Sequence, residues 1–418
     1  MKIIIVDLLL IGDIVNAAHV AVALKKHYKE ATIDILTYKN NQEVTKIFSC
    51  FTKGFYLDRN KFFEECINSD VSVLKKIDFI NSELKSLMEE EYDLAINFTN
   101  NKMCSIICSL ITAKEKIGAV LEENKILTIK GKNPWIKYFN DFVTGNYYNS
   151  FQYVDVFKRA LEVYGPAKKN SILDKTSCQK QYERKYFALK ITTSEVNKNW
   201  GEEQYIEVAK GIISKTGYDC LLLGVEKEKK QLEIIKEKIG KQAKTGLYSF
   251  NELVSVLGEA EIVIGGDTGI LHLAAALNTK TVTIAIGPGT YFKSTPYGSD
   301  NIILYPKEPC YPCKHLATCR FGVKCRFNIR PKDVINSIFK RTFCNPDCGG
   351  VLTYFDKDGF LSYKNINSAI EERVYSGYLE TRSVLKKYLN NRTLKEYDFK
   401  ELENILIDKQ GYSYEKMY

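Results

Sequence analysis

A glycine-rich loop limits the fold of this chain more than any other feature of its sequence. The loop, Gly-Asp-Thr-Gly, lies in segment 261–298 between a short apolar stretch at 261–264 and a longer one at 270–277. The first stretch has the length of a buried strand, the second is apolar on most faces of a helix, and 281–286 has the pattern of another strand. This order predicts one β-loop-α-β unit of a parallel sheet.

The same loop is suited to hold a phosphate group. The amide groups of Thr268, Gly269 and Ile270 would start the helix without partners inside it, and they carry the positive end of its dipole. The neighbouring glycines let an anion approach the backbone closely. A purely structural interpretation stays open, because Asp267 or Thr268 could cap the helix and His272 could be a buried histidine bonded to a carbonyl group.

The beginning of the chain predicts a second unit of the same kind. A strand at 2–6, a loop at 7–12 and a helix at 13–28 precede a strand at 32–38. The loop has no Gly-x-Gly-x-x-Gly pattern, so dinucleotide binding has no support in this segment. Gly12 and Asp13 stand where the helix begins, and an aspartate there serves either as a cap or as a functional carboxylate.

The length of the chain indicates two domains. Its 418 residues are too many for one ordinary hydrophobic core. Gly165-Pro166 ends a helical pattern, and the polar segment 168–184 that follows has little apolar periodicity, as expected of a linker. We predict an N-terminal domain at 1–166, a C-terminal domain at 185–343 and a C-terminal extension at 344–418 of unknown role.

Charge and hydropathy restrict the partners of the protein. The formal net charge of +9 favours anionic partners such as a nucleotide diphosphate, a phosphorylated glycan or an acidic membrane surface. No basic stripe interleaved with aromatic residues is present, so nucleic acid is not an expected partner. No apolar run reaches the roughly 18 residues that cross a bilayer, and no signal-peptide cleavage site follows the first strand. We expect a cytoplasmic protein, attached at most peripherally to the inner face of the membrane.

The cysteines are concentrated in one segment. Six of the 12 cysteines lie within 310–348. Cys310, Cys313, Cys319 and Cys325 have spacings that a tetrahedral zinc or iron ion could accept, which predicts a structural metal site. Reduced thiols without metal are the alternative. Further possible ligands are His315, Cys344 and Cys348.

The glycine-rich loop and its surroundings resemble the signature of a known enzyme family. Glycosyltransferase family 9, the ADP-heptose:lipopolysaccharide heptosyltransferase family, has the pattern Gly-x-Asp-Thr-Gly-x-x-His-Leu-Ala-Ala-Ala-Leu, then Gly-Pro and a later Pro-x-Gly. Residues 265–277, 287–288 and 296–298 match it. The family also opens with a strand, a loop ending in Gly-Asp and an apolar helix. The resemblance covers residues 1–343 and implies a GT-B fold, an α/β fold with two Rossmann-like domains facing across a cleft.

The resemblance implies roles for individual residues. Asp13 matches the family's catalytic base, and Lys198, in Lys198-Asn199-Trp200, matches the lysine that contacts the donor phosphates. Glu226 resembles the glutamate that binds the ribose of the nucleotide. From residue chemistry alone, Lys198 could be a surface lysine and Glu226 a first-turn helix carboxylate. The other positions implied are Asp267, Thr268, Gly269 and His272 on the donor side and Gly12 on the acceptor side.

The function implied by the resemblance is inverting glycosyl transfer from ADP-heptose to a glycan of the lipopolysaccharide core or a related surface glycan. No cofactor is expected for catalysis, since neither of the two β-loop-α units that match the family contains an Asp-x-Asp pair to hold a divalent ion. The alternatives are transfer to a protein, transfer from another nucleotide sugar, or an inactive, metal-stabilised binding or scaffold relative. The chain departs from the family at Asp7, where a basic residue is usual, so the acceptor is expected to be unusual.

Overall fold

The computed structural model consists of two compact units, each built around its own sheet. The first unit contains Met1–Tyr148, Val154–Tyr164 and Tyr388–Asp398, and the second contains Asn149–Tyr153, Gly165–Lys387 and Phe399–Tyr418. The structure describes residues 1–67, 72–122, 127–143, 150–164, 172–173, 182–193, 195–293, 295–313, 318–370 and 372–410.

The first unit alternates strands and helices along most of its length. Its elements in chain order are β1 (Lys2–Val6), α1 (Ile11–His27), β2 (Thr32–Tyr38), α2 (Gln42–Lys46), β3 (Lys53–Leu57), α3 (Arg59–Ile67), α4 (Val73–Met88), β4 (Glu91–Asn97), α5 (Lys102–Leu110), β5 (Thr112–Leu121), β6 (Leu127–Lys130), α6 (Pro134–Tyr138) and α7 (Tyr153–Ala160).

The first sheet has the strand order β3-β2-β1-β4-β5-β6. All neighbours pair in parallel except β5 and β6, which are antiparallel. The strand order reverses direction at β1, because β2 lies on one side of it and β4 on the other. In open α/β sheets, ligands bind at such a switch point, outside the carboxyl ends of the strands. The loop that follows β1 and contains Asp7 therefore lies at the expected binding edge.

The second unit repeats this plan. Its elements are β7 (Tyr186–Lys190), α8 (Glu202–Thr216), β8 (Asp219–Gly224), α9 (Lys229–Ile239), β9 (Ala243–Leu247), α10 (Phe250–Glu259), β10 (Val263–Gly266), α11 (Gly269–Ala276), β11 (Thr281–Ile284), β12 (Ile302–Pro306), α12 (Pro331–Lys340), β13 (Cys348–Phe355), β14 (Leu361–Asn365), α13 (Glu372–Asn390) and α14 (Phe399–Gln410). Helix α13 ends in the first unit.

The second sheet has the order β14-β13-β12-β11-β10-β7-β8-β9. From β12 to β9 the strands are parallel, whereas β13 and β14 add an antiparallel hairpin at the edge. Here the switch point lies between β7 and β10. The loops after these two strands carry Lys198 and the Gly-Asp-Thr-Gly sequence, so the fold brings both motifs to one edge of one sheet.

Residues from the far end of the chain complete the first unit. The Trp135 indole donates to the Asn390 side-chain oxygen at 3.0 Å, and the Lys137 ammonium donates to the Leu394 carbonyl at 3.2 Å. The segment 344–418 is thus divided between the units: β13 and β14 extend the second sheet, and 388–398 joins the first unit. No helix in the described ranges is both long and apolar enough to span a bilayer.

Candidate active site

Two glycines of the second unit, one at the end of β10 and one in the loop after β11, allow the loop after β7 to approach them closely. A Cβ atom on Gly266 would lie 2.7 Å from Cγ2 of Thr193. A Cβ atom on Gly287, which has φ +71°, would lie 2.8 Å from the Asn197 carbonyl oxygen. Larger residues at these positions would push the segment 193–198 away. The two glycines therefore place Lys198 beside the Gly-Asp-Thr-Gly loop.

Helix α11 opens with amide groups that have no side-chain cap. Thr268 occupies the N-cap position in an extended conformation, but its side chain makes no capping hydrogen bond. The Thr268 carbonyl accepts from the Leu271 amide at 3.0 Å. The amides of Gly269 and Ile270 in the first turn have no intrahelical acceptors, as at any helix start. This end of the helix can therefore accept an anion.

Buried polar atoms of three side chains around this loop have no hydrogen-bond partner within the described ranges: Oγ1 of Thr268, Nδ1 of His272 and Oγ1 of Thr290. Leaving such atoms unsatisfied costs about 1–3 kcal/mol each, so a ligand that reaches them recovers this energy. The other ring nitrogen of His272 lies 3.6 Å from Oδ1 of Asp267. Sequence reasoning missed Thr290, although it had singled out the Gly-Pro-Gly turn directly before it.

Lys198 is held in a short, well-bonded loop. Its ammonium group lies 3.5 Å from Oε1 of Glu195. The Asn199 side-chain oxygen accepts from the amide and the hydroxyl of Thr193 at 3.0 and 2.9 Å, which closes the loop. Trp200 is fully buried, and its indole donates to two carbonyl groups of the cysteine-rich segment. Within this motif Trp200 is therefore structural, and the Lys198 ammonium is held beside Glu195.

Glu228 lies in the turn after β8 and contacts residues at the end of β7. It accepts hydrogen bonds from Lys190 at 2.8 Å and from Thr192 at 2.7 Å. Burial raises its pKa, but the hydrogen bonds from Lys190 and Thr192 outweigh burial, and the pKa of Glu228 is lowered. Glu226, which the sequence had favoured, has a side chain that is 79% exposed and lies 3.6 Å from the Lys229 ammonium. The Glu226 side chain is therefore largely in solvent, whereas Glu228 is hydrogen-bonded at the end of β7.

In the first unit, Asp13 lies in the first turn of α1, next to Gly12. Its Oδ2 accepts from the Leu10 amide at 3.2 Å, so the side chain does contribute to capping. Asp7 follows β1 and is 0% exposed, and neither of its carboxylate oxygens has a hydrogen-bond partner within the described ranges. Burial raises the pKa of Asp7 well above its usual range, and the charge of Asp13 raises it further; the Leu9 amide offsets this only in part. Two acidic groups therefore share the switch point of the first sheet.

The four cysteines of the predicted metal site are not arranged as metal ligands in the described part of the chain. Within the described ranges, no group of three or more His, Cys, Asp or Glu residues is arranged to hold a metal ion, so the predicted structural zinc or iron at Cys310, Cys313, Cys319 and Cys325 finds no support. Cys310 is exposed and Cys325 is buried, while the Cys319 sulfur accepts from the Val323 amide at 3.2 Å. Burial, with smaller effects from the other three thiols, raises the pKa of Cys325 to about 11.

The cysteine-rich segment nevertheless contacts the Gly-Pro-Gly turn, residues 287–289. The Cys313 amide donates to the Gly287 carbonyl at 3.0 Å. The Tyr311 hydroxyl donates to the Gly289 carbonyl at 2.6 Å. The segment therefore supports the backbone of the Gly-Pro-Gly turn, which is a structural role that requires no metal.

Comparisons with known proteins agree with this architecture. The model of glycosyltransferase family 9 (heptosyltransferase) matches residues 81–323. Lipopolysaccharide heptosyltransferase 3 of Escherichia coli is 23% identical over 302 residues, which is 65% of this chain and 80% of that protein. The structure of a family 9 glycosyltransferase from Veillonella parvula has a TM-score of 0.58 at 16% identity and covers 81% of this chain and 96% of its own. Escherichia coli heptosyltransferase WaaC with ADP has a TM-score of 0.56 at 16% identity, covering 71% and 91%. The prediction of a GT-B fold with two Rossmann-like domains is confirmed.

Proposed function

We propose that this chain, which belongs to glycosyltransferase family 9, transfers a heptose from ADP-heptose to a glycan acceptor with inversion at the anomeric carbon. The observation that carries the donor half is the loop at the start of α11. It combines open helix amides, the nearby Lys198 and the partnerless polar atoms of Thr268, His272 and Thr290. This set suits the diphosphate and sugar of an activated donor.

On the donor side, the amides of Gly269 and Ile270 and the Lys198 ammonium hold the diphosphate and stabilise the negative charge that grows as ADP leaves. Asp267 and His272 orient the donor sugar. We assign the ribose to Glu228 in place of Glu226, because Glu228 lies at the strand ends with Lys190 and Thr192. These groups neutralise the leaving diphosphate without a divalent cation in this proposal, and chelation with EDTA should leave the rate unchanged.

On the acceptor side, Asp13 acts as general base. The acceptor hydroxyl gives its proton to the Asp13 carboxylate as its oxygen forms the new bond to the anomeric carbon. The bond from that carbon to the diphosphate breaks in the same step, and ADP leaves with its electrons. The acceptor is a glycan of the lipopolysaccharide core or a related surface glycan in this proposal, and a protein hydroxyl is the alternative. The reaction takes place in the cytoplasm.

The decisive experiment is transfer from ADP-heptose by the wild type and by Asp13→Asn, with donor binding measured separately. Loss of the base should lower kcat by about 100-fold or more, while ADP still binds. Asp58→Asn is the matched control, because Asp58 accepts from the amides of Asn60 and Lys61 at the start of α3 in the same unit. That variant loses a helix-start carboxylate without losing the base.

Three results would count against the proposal. Asp13→Asn turnover within a few-fold of the wild type would exclude Asp13 as the base. Stabilisation by other nucleotide sugars but not by ADP-heptose would exclude the donor. ADP-heptose binding without turnover on any glycan or protein acceptor would favour the inactive scaffold.

A further inference from the structure

Five residues of the cysteine-rich segment form a surface that we call the basic aromatic turn: Arg320, Phe321, Lys324, Arg326 and Phe327. Phe321 is 57% exposed and Phe327 is 60% exposed, although phenylalanine is among the residues most often buried. Segment 318–332 of the sequence contains five basic residues and no acidic one. The surface therefore combines exposed apolar rings with a local excess of positive charge.

The exposure of the two rings does not arise from a frayed loop. The indole of Trp200 donates to the carbonyls of Arg326 and Ile329, each at 3.0 Å. The Asn345 side chain donates to the Asn328 carbonyl at 2.7 Å. Cys325 and Ile329 are buried on either side of the turn. The backbone is thus fixed to the core of the second unit while both rings project into solvent.

Each ring has a cation beside it. The Lys324 ammonium lies 5.5 Å from the centre of the Phe321 ring, and the Arg326 guanidinium lies 4.9 Å from the centre of the Phe327 ring. Neither Arg320 nor Lys324 forms an ion pair with any residue in the described ranges. Nε of Arg326 is buried there without a hydrogen-bond partner. Arg320 and Lys324 are therefore available to an external anion.

We propose that the basic aromatic turn docks on the surface of an anionic phospholipid bilayer. The Lys and Arg side chains would contact lipid phosphates, and the phenyl rings would enter the boundary between headgroups and acyl chains. A soluble polyanion explains the charges but leaves the two rings in water. This proposal does not depend on the sugar chemistry assigned above.

The test is flotation of the full chain with vesicles of phosphatidylcholine alone and with added phosphatidylglycerol. The wild type should float only with the anionic vesicles, and added salt should release it. Arg320→Gln should weaken the vesicle partition about fivefold, the usual effect of one cation near such a surface. Phe321→Ser combined with Phe327→Ser should abolish flotation.

Phe339→Ser is the matched control, because Phe339 on α12 is 42% exposed and has Lys215 5.8 Å from its ring centre. It should float like the wild type. Phe327→Trp provides a gain-of-signal variant whose indole emission should shift to the blue and be quenched by brominated lipids.

The proposal is overturned if the wild type does not float with anionic vesicles, or if the double phenylalanine variant floats as well as the wild type. Neither flotation nor lipid quenching measures glycosyl transfer. A negative flotation result therefore does not contradict the proposed transferase activity, and a negative transfer result does not contradict membrane docking.

Discussion

Replacing Asp7 with Asn should make the protein more stable at neutral and alkaline pH, even though an acidic side chain at a sheet edge is lost. The Asp7 carboxyl is 0% exposed and has no hydrogen-bond partner within the described ranges. Burial, and then the charge of Asp13, raises its pKa, and the buried Cys104 thiol is a further titratable neighbour. The folded chain therefore keeps the proton at pH values where the unfolded chain has lost it.

The sign and size of the effect follow from proton linkage. An unfolded aspartate ionises near pH 3.9, so above that pH the unfolded state binds fewer protons than the native state. The stability of the wild type then falls with rising pH by up to about 1.4 kcal/mol per pH unit, until the pH reaches the raised pKa of Asp7 in the folded state. Asn cannot ionise, so the free energy of unfolding of Asp7→Asn does not fall in this pH range. We call the pH range between the unfolded and the folded pKa of Asp7 the window. For a domain of this size, the difference between the thermal unfolding midpoints of Asp7→Asn and the wild type should grow by roughly 3–5 °C per pH unit inside the window.

The assay is thermal unfolding of the wild type and Asp7→Asn over a pH series, monitored on the first unit by hydrogen exchange. The two curves should lie closest near pH 4 and separate as the pH rises. Asp13→Asn as a background should narrow the window, because it removes the charge that adds to the pKa shift of Asp7. A stability difference that is constant from acidic to alkaline pH would refute the reasoning, since it would mean that Asp7 has the same pKa in both states.

Two further substitutions test the donor side. Gly287→Ala should raise the KM for the donor at least about tenfold, because the new methyl group would meet the Asn197 carbonyl and displace the Lys198 loop. Gly217→Ala has the same positive-φ strain, with φ +69° and no atom within 4 Å, and should leave the KM unchanged; equal effects would show that only backbone strain matters. Glu228→Gln should weaken ADP binding about tenfold by calorimetry, because Lys190 loses its charge partner, whereas Glu226→Gln should change it less than twofold. The reverse ranking would restore the sequence-based choice of Glu226.

Elements with strong periodicity were predicted well from the sequence. The helix expected at 270–277 is α11, Gly269–Ala276, and the strand expected at 281–286 begins at the same residue as β11, Thr281–Ile284. Apolar spacing determines such elements because one face must be buried. The predicted C-terminal extension begins with the hairpin of β13 and β14, whose pairing with β12 could not be predicted because sheet order depends on contacts between distant segments.

Other details could not be predicted from the sequence because they depend on the direction of single side chains, and the role of Glu226 stays a prediction. Glu226 and Glu228 lie in one 3₁₀ turn, Glu226–Glu228, where residues two apart point in different directions around the axis. Composition and spacing cannot say which of them faces the strand ends. The cysteine spacing also fitted a metal site, but spacing does not determine how a loop orients its thiols, and within the described ranges no three such groups are arranged to hold a metal ion. Thr290 carried no signal, because a threonine after a glycine turn is common in any loop.

The contribution of 388–398 to the first unit has a consequence for the way such chains can recombine. In a chimera with a single crossover between the two sheets, Trp135 and Lys137 would come from one parent. Their hydrogen-bond acceptors, Asn390 and Leu394, would come from the other. A first unit exchanged between two relatives must therefore bring its own segment 388–398. Chimeras that exchange residues 1–166 together with 388–398 keep these contacts intact. Chimeras with a single crossover combine residues 1–166 of one parent with 388–398 of the other.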